Sequence, residues 1–202
     1  MKLYDLKAGT NPRRVRIFLA EKGVTVPTVA IDMMKGENRT PEFLALNPLG
    51  TLPVLELDDG TILTESIAIC RYFEELHPEP NLFGRDALER AQVEMWNRRA
   101  EIELLAPVTQ HFVHSSPFWQ GRRKQVPEYA PLVREQALAA MAWLDRELDD
   151  RPYLAGNHYT VADITAQSAL LLGKNTGIAL AGDHKNLGRW WIEVSARPTA
   201  RA

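Results

Sequence analysis

The run His77-Pro78-Glu79-Pro80-Asn81-Leu82-Phe83-Gly84 divides this chain into two textures. Two prolines and a glycine in a polar stretch interrupt regular structure and mark a boundary. Before the run, short β-branched or apolar segments alternate with helical ones. After it no convincing strand pattern appears. A chain patterned this way is expected to fold as a small α/β domain over residues 1–78, followed by an all-α helical bundle over 85–202.

In the first part, Leu3-Tyr4-Asp5-Leu6 reads as a strand and Ala8-Gly9-Thr10-Asn11 as a turn. Asn11 suits an N-cap and Pro12 the first helical position. That helix carries Val15, Phe18 and Leu19 and stops near Gly23. Val24 to Ile31 is rich in β-branched residues and predicts a second strand. Strand–helix–strand order favours a parallel pair. A short helix is expected around Pro41-Glu42-Phe43-Leu44. Leu52 to Leu57 and Ile62-Leu63 then form a hairpin around Asp58-Asp59-Gly60. Ile67 to Leu76 is helical, with Ile69, Phe73 and Leu76 spaced along one face.

In the second part, Asp86 to His114 predicts a long helix with Pro107 as a point of kinking. Tyr129 to Leu148, Val161 to Leu172 and Leu187 to Ala196 predict three more helices. The segment Tyr159-Thr160-Val161-Ala162-Asp163-Ile164 has the spacing of a capping box, with Tyr159 and Ile164 as a hydrophobic staple. Asp163 is therefore read as structural.

Composition narrows the function. A formal net charge of -2 supplies no broad positive field for nucleic acid or an anionic membrane. One cysteine permits neither an internal disulfide nor a CxxC pair. Cys70 falls within an apolar helix and is expected to be buried. His111 and His114 lack the further ligands a metal site needs, so no metal is expected. Gly121-Arg122-Arg123-Lys124 reads as a solvated basic loop. Met1-Lys2-Leu3-Tyr4-Asp5 does not open a signal peptide and no 18-residue apolar run occurs, so a cytoplasmic protein is expected.

Two stretches point to a ligand. In Gly50-Thr51-Leu52-Pro53-Val54-Leu55, a proline at a strand entrance leaves neighbouring backbone groups outside the sheet ladder. In Thr64-Glu65-Ser66-Ile67, an acid and a hydroxyl open a helix whose free N–H groups suit a carboxylate. Together they suggest a site that takes a small peptide-like anion through the main chain.

These residues resemble the glutathione S-transferase superfamily. The resemblance covers nearly the whole chain: the first-domain order, Leu52-Pro53, Glu65-Ser66, the proline-rich linker, the helical second domain and the Thr160-x-x-Asp163 box. Tyr4-Asp5-Leu6 through Asn11-Pro12-Arg13-Arg14 looks like the theta-related and bacterial branches. The resemblance implies a thioredoxin-like first domain, a homodimer, glutathione as co-substrate and a small-molecule electrophile. It implies a cis bond before Pro53, so that the Leu52 backbone pairs with the cysteinyl main chain like an added strand. It assigns Glu65 to the ammonium and Ser66 to the α-carboxylate of the γ-glutamyl end. Asn38 stands where relatives place a histidine near the glycyl carboxylate, and Thr51 where some carry a lysine.

Glutathione must be ionised to attack, and a hydroxyl at a helix start stabilises a thiolate. Thr10 stands two positions before Pro12, where theta-like members carry a catalytic serine. Asn11 is the second candidate, through its side-chain amide. Of Arg13 and Arg14, one is expected to face the cleft and the other to be solvated. Trp96, Arg99, Phe112 and Phe118 are candidates for the electrophile pocket. Trp96 and Arg99 equally fit a core tryptophan and an interface ion pair. Two functions follow: a glutathione transferase, or a non-catalytic binder of glutathione or a hydrophobic ligand with the same fold.

Overall fold

The computed structural model describes all 202 residues. It divides into two compact units, Met1–Asn81 joined by Arg201–Ala202, and Leu82–Ala200.

The first unit is a four-stranded mixed sheet with helices. Strand β1 (Lys2–Asp5) leads into α1 (Thr10–Glu21), then β2 (Thr28–Ala30). A 3-10 turn (Glu37–Arg39) and α2 (Pro41–Leu46) precede the hairpin of β3 (Val54–Glu56) and β4 (Ile62–Thr64), and α3 (Ser66–Leu76) closes the unit. The strand order is β2-β1-β3-β4. β1 is parallel to β2 and antiparallel to β3, and β3 is antiparallel to β4.

Two sequence expectations change here. The second strand is only three residues long, because Pro27 has no N–H to give the ladder; its carbonyl still accepts from Leu3 N–H at 2.8 Å. Helix α1 starts at Thr10, so Gly9 and not Asn11 is the N-cap. A Cβ on residue 9 would sit 2.8 Å from Pro12 Cγ and 3.0 Å from the Leu6 carbonyl oxygen, so the chain enters the helix where only glycine fits. Pro12 then falls at the third helical position, where an N–H has no intrahelical partner to lose.

Helices α1 and α3 pack together. Val15, Ile17, Phe18, Ile69 and Phe73 are all buried, and with them Cys70, whose thiol burial pushes up to about 12. At the end of this pair, Lys22 Nζ meets Glu74 at 2.6 Å and donates to the Pro80 carbonyl at 2.6 Å. Both side chains are nearly sealed from solvent, so this buried ion pair ties α1, α3 and the linker together. Breaking such a pair on one side leaves an uncompensated charge.

The second unit is entirely helical. Helix α4 (Ala87–Arg99) passes into a π-helical segment (Ala100–Leu105) and then α5 (Ala106–Ser115). The expected kink at Pro107 takes this form: the wider turn precedes the proline, which cannot continue the ordinary hydrogen-bond ladder. Helices α6 (Tyr129–Glu147), α7 (Val161–Asn175) and α8 (Lys185–Ala196) complete the bundle, with α7 against α4 and the π segment.

The Thr160–Asp163 capping box forms. The fully buried Asp163 carboxylate accepts from Thr160 N–H at 2.9 Å, Thr160 Oγ1 at 3.0 Å, Leu154 N–H at 3.0 Å and Trp190 Nε1 at 2.8 Å. Burial pushes the carboxyl up, and these four donors pull it down. One side chain thus fastens the preceding loop and α8 to the start of α7.

No helix is long and apolar enough to cross a membrane. No group of three or more metal-ligating side chains is gathered in one place.

Candidate functional site

The register brings the expected ligand residues to one end of the sheet. Tyr4 on β1 pairs with Val54 on β3, and Val54 pairs on its other side with Thr64 on β4. The C-terminal end of β1, the entrance to β3 and the C-terminal end of β4 therefore coincide. Those three points lead to Thr10, follow from Leu52-Pro53 and lead to Glu65-Ser66. The C-terminal end of β2, with Ala30 beside Asp5, opens the loop to Asn38 at the same end.

Each segment is held by its own chemistry. Arg16, which sequence reasoning passed over in favour of Arg13 and Arg14, clamps the β1–α1 loop. Its Nη1 pairs with the buried Asp5 at 2.5 Å and donates to the Leu6 carbonyl at 3.3 Å, and its Nη2 donates to Lys7 O at 2.8 Å. The loop delivers Thr10 and Asn11 as the first two residues of α1. Backbone N–H groups there have no intrahelical acceptor. Thr10 is half-buried. Asn11 is exposed and its Oδ1 accepts from Arg14 Nη1 at 3.4 Å, which leaves its amide N–H₂ able to donate elsewhere. Arg14 is 2 % exposed, so neither it nor the half-buried Arg13 is the solvated residue expected. Tyr4 turns from this chemistry: its hydroxyl donates to Glu56 at 2.7 Å, and burial together with that carboxylate raises the phenol above its ordinary range.

The Leu52–Pro53 bond is cis, and both residues are buried. Two buried asparagines brace the approach to it. Asn38 Nδ2 donates to Gly50 O at 2.7 Å, and Asn47 Nδ2 donates to Thr51 O at 2.9 Å and Thr51 Oγ1 at 3.0 Å. Gly50 has φ 61°, and a Cβ there would lie 2.6 Å from Arg39 Nη1 and 2.8 Å from Asn38 O, so glycine is required. Asn38 and Thr51 are thus both tied into the bracing of this loop. Asn47 was not singled out from sequence; an Asn-Pro-x-Gly turn ahead of Leu52-Pro53 is the signal that would have found it.

Glu65 has φ 65° and ψ 119°, the one non-glycine residue with positive φ. Such a conformation costs on the order of 1–3 kcal/mol and persists where the surroundings impose it. Here it turns the chain from β4 straight into α3. Glu65 stays exposed, whereas Ser66, the first helical residue, is 4 % exposed. The Ser66 hydroxyl has no hydrogen-bond partner within the chain. An exposed acid therefore stands beside a buried hydroxyl and a helix N-terminus.

The other candidates lie in the helical unit. Trp96 is 4 % exposed and stacks on Trp143 with centroids 5.5 Å apart. Arg99 lies 4.9 Å and Arg151 4.3 Å from its ring centre. This packing is that of the core-tryptophan alternative: the two rings and the two guanidiniums cover one another. Phe112 and Phe118 do meet, at 5.9 Å, and Trp119 joins them at 5.8 and 4.9 Å. The basic loop is not merely solvated: Arg122 and Arg123 lie 5.0 Å over Phe118 and Trp119.

Comparison with known proteins gives one answer for both halves. Residues 9–76 match the model of the glutathione S-transferase N-terminal domain, and residues 101–198 that of the C-terminal domain. Glutathione S-transferase 2 of Saccharomyces cerevisiae is 40 % identical over 205 residues, covering 100 % of this chain and 88 % of its own. The crystal structure of Gtt2 from the same yeast superposes with a TM-score of 0.94, covering 100 % of this chain and 99 % of that one. A glutathione S-transferase domain-containing protein of Marinobacter aquaeolei also gives 0.94 at 40 % identity, covering 99 % and 100 % of the two chains. Sheet order, the cis bend before β3, the helical second unit and these matches agree: the chain belongs to the glutathione S-transferase superfamily.

Proposed function

We propose that this protein is a glutathione transferase that holds the thiol of glutathione as a thiolate for attack on a small apolar electrophile. The observation that carries the reading is the convergence, at one end of the sheet, of three unlike recognition elements. The backbone of Leu52 ahead of cis-Pro53 takes the cysteinyl main chain as an added strand. The Ser66 hydroxyl and the amides opening α3 take the γ-glutamyl carboxylate, and exposed Glu65 takes its ammonium. The sulfur then lies toward the first turn of α1, where Thr10 Oγ1, the Asn11 amide and the unpaired backbone N–H groups stabilise negative charge.

The thiolate is the nucleophile and its lone pair forms the new carbon–sulfur bond. The leaving group departs with the bonding pair, or, in an addition, the neighbouring carbon takes the proton. The aromatic set Phe112, Phe118 and Trp119 favours an apolar electrophile. A homodimer is part of the reading. Leu88, Met95 and Ile102 recur every seven residues along α4 and the π segment and are 68 %, 40 % and 49 % exposed. Such a stripe is self-complementary under two-fold symmetry.

The test separates binding from activation. Thr10→Ala and Asn11→Ala should lower conjugation of 1-chloro-2,4-dinitrobenzene more than they weaken glutathione binding. They should also reduce the ultraviolet thiolate band of bound glutathione. Full turnover in both variants would remove the helix start from the mechanism.

A further inference from the structure

Strand β1 buries alternate residues, so Leu3 and Asp5 share its covered face. Leucine suits that place, whereas a carboxylate there needs a partner. Asp5 is 7 % exposed and meets Arg16, from the second turn of α1, at 2.5 Å. Arg16 turns its remaining donors on the loop itself, to Leu6 O at 3.3 Å and Lys7 O at 2.8 Å. Leu6 O also accepts at 2.7 Å from the N–H of Gly9, the N-cap of α1, and Gly9 O accepts from Arg13 N–H at 3.0 Å. On the sheet side, Asp5 O accepts from Ile31 N–H at 2.9 Å. The end of β1, the loop and the start of α1 are therefore fastened to one guanidinium.

Charge gives the pair a second consequence. A buried carboxylate five residues before Thr10 opposes negative charge at the first turn of α1. Arg16 cancels it, and the field of Arg16 reaches that turn: burial, and then the charge of Arg16, lower the Arg13 guanidinium. The other ionisable groups around α1 and the sheet are matched already. Glu74 of α3 is held by Lys22, and Glu56 of β3 by Tyr4 and Lys2. Cys70 of α3, pushed up to about 12 by burial, keeps its proton, and the charge of the buried Arg14 acts on it.

We propose that Arg16 and Asp5 are positioning residues for the thiolate of bound glutathione: the guanidinium fixes the helix start and keeps the Asp5 carboxylate from opposing negative charge on the sulfur. This rests on the reading that the sulfur lies at the first turn of α1.

The test is the ultraviolet thiolate band of bound glutathione, titrated with pH at saturating ligand, beside kcat and KM for 1-chloro-2,4-dinitrobenzene conjugation. Arg16→Gln leaves Asp5 uncompensated and should raise the midpoint by about 0.5–1 pH unit. Below the midpoint that lowers the thiolate fraction, and kcat with it, by about three- to tenfold, while KM for glutathione changes by less than about twofold. Asp5→Asn leaves the charge of Arg16 uncancelled and should lower the midpoint by a similar amount. Arg16→Lys keeps the charge and should hold the midpoint near the native one. A pair that only braces the loop would not move the two neutralising variants in opposite directions. Shifts of the same sign, unshifted midpoints, or a loss confined to KM overturn the inference. A thermal melt checks folding; should Arg16→Gln fail to fold, the downward shift of Asp5→Asn and the native midpoint of Arg16→Lys still decide. A native protein that binds glutathione without a thiolate band would remove the reading of the sulfur's place and the inference with it, whereas a native band with unshifted variants removes the inference alone.

Discussion

Replacing Asp163 by alanine should destabilise the helical unit more than any exposed substitution could. The change removes the single acceptor of four buried donors: the amides of Leu154 and Thr160, the Thr160 hydroxyl and the Trp190 indole. The hydroxyl can turn to another partner, but the two amides and the indole are fixed. Each buried donor left unsatisfied costs about 1–3 kcal/mol. Removing a buried charge returns part of that sum, so the net loss should be about 3–5 kcal/mol. This compares with about 5–15 kcal/mol for the stability of an ordinary domain. Urea unfolding followed by circular dichroism gives the number. Trp190→Phe removes one donor and keeps the ring, and should cost about 1 kcal/mol. The double variant should cost about 1 kcal/mol less than the two added, because the indole is no longer orphaned. A loss below about 1 kcal/mol for Asp163→Ala, or strict additivity, would refute the view that Asp163 is the anchor of this unit.

Three further outcomes test other parts of the structure. Ser66→Ala should raise the glutathione dissociation constant by about 10- to 100-fold, the worth of one hydrogen bond to a charged group; unchanged calorimetric affinity would remove Ser66 from the site. Glu65→Gly should relieve the strained backbone and raise stability by about 1 kcal/mol while weakening glutathione, and a variant that loses both would contradict the assignment of strain. Cys70, raised to about 12 by burial, keeps its proton in the folded state while the unfolded thiol ionises. Its contribution is therefore flat below the unfolded value and turns unfavourable above it, by about 1–2 kcal/mol at pH 10. Cys70→Ala should lack that alkaline loss, and the native thiol should resist aromatic disulfide reagents until unfolding; rapid modification of the folded chain would overturn its burial.

Much of the fold was legible because it rests on local signals. The linker run, the Asp-Asp-Gly hairpin turn and the Thr160-x-x-Asp163 box each declare themselves within a few residues. What escaped depends on contacts made at a distance. Asn11-Pro12 reads as a cap and first turn, yet a close packing of Gly9 against Pro12 moves the helix start two residues back. Val24 to Ile31 has strand composition, but pairing with β1 supports only Thr28–Ala30. Trp190 as a partner of Asp163, Arg16 as the clamp on Asp5 and Trp143 against Trp96 join residues from different elements, and no local pattern announces them. The candidate site residues stood out individually. That they share one end of the sheet follows only from the register Tyr4–Val54–Thr64.

The most direct measurement is calorimetric titration of the purified protein with reduced glutathione near neutral pH. The account predicts saturable binding with a dissociation constant roughly in the micromolar to low-millimolar range. The absence of binding at several times roughly 1 mM glutathione would contradict it, and would leave the chain a member of the superfamily by fold alone.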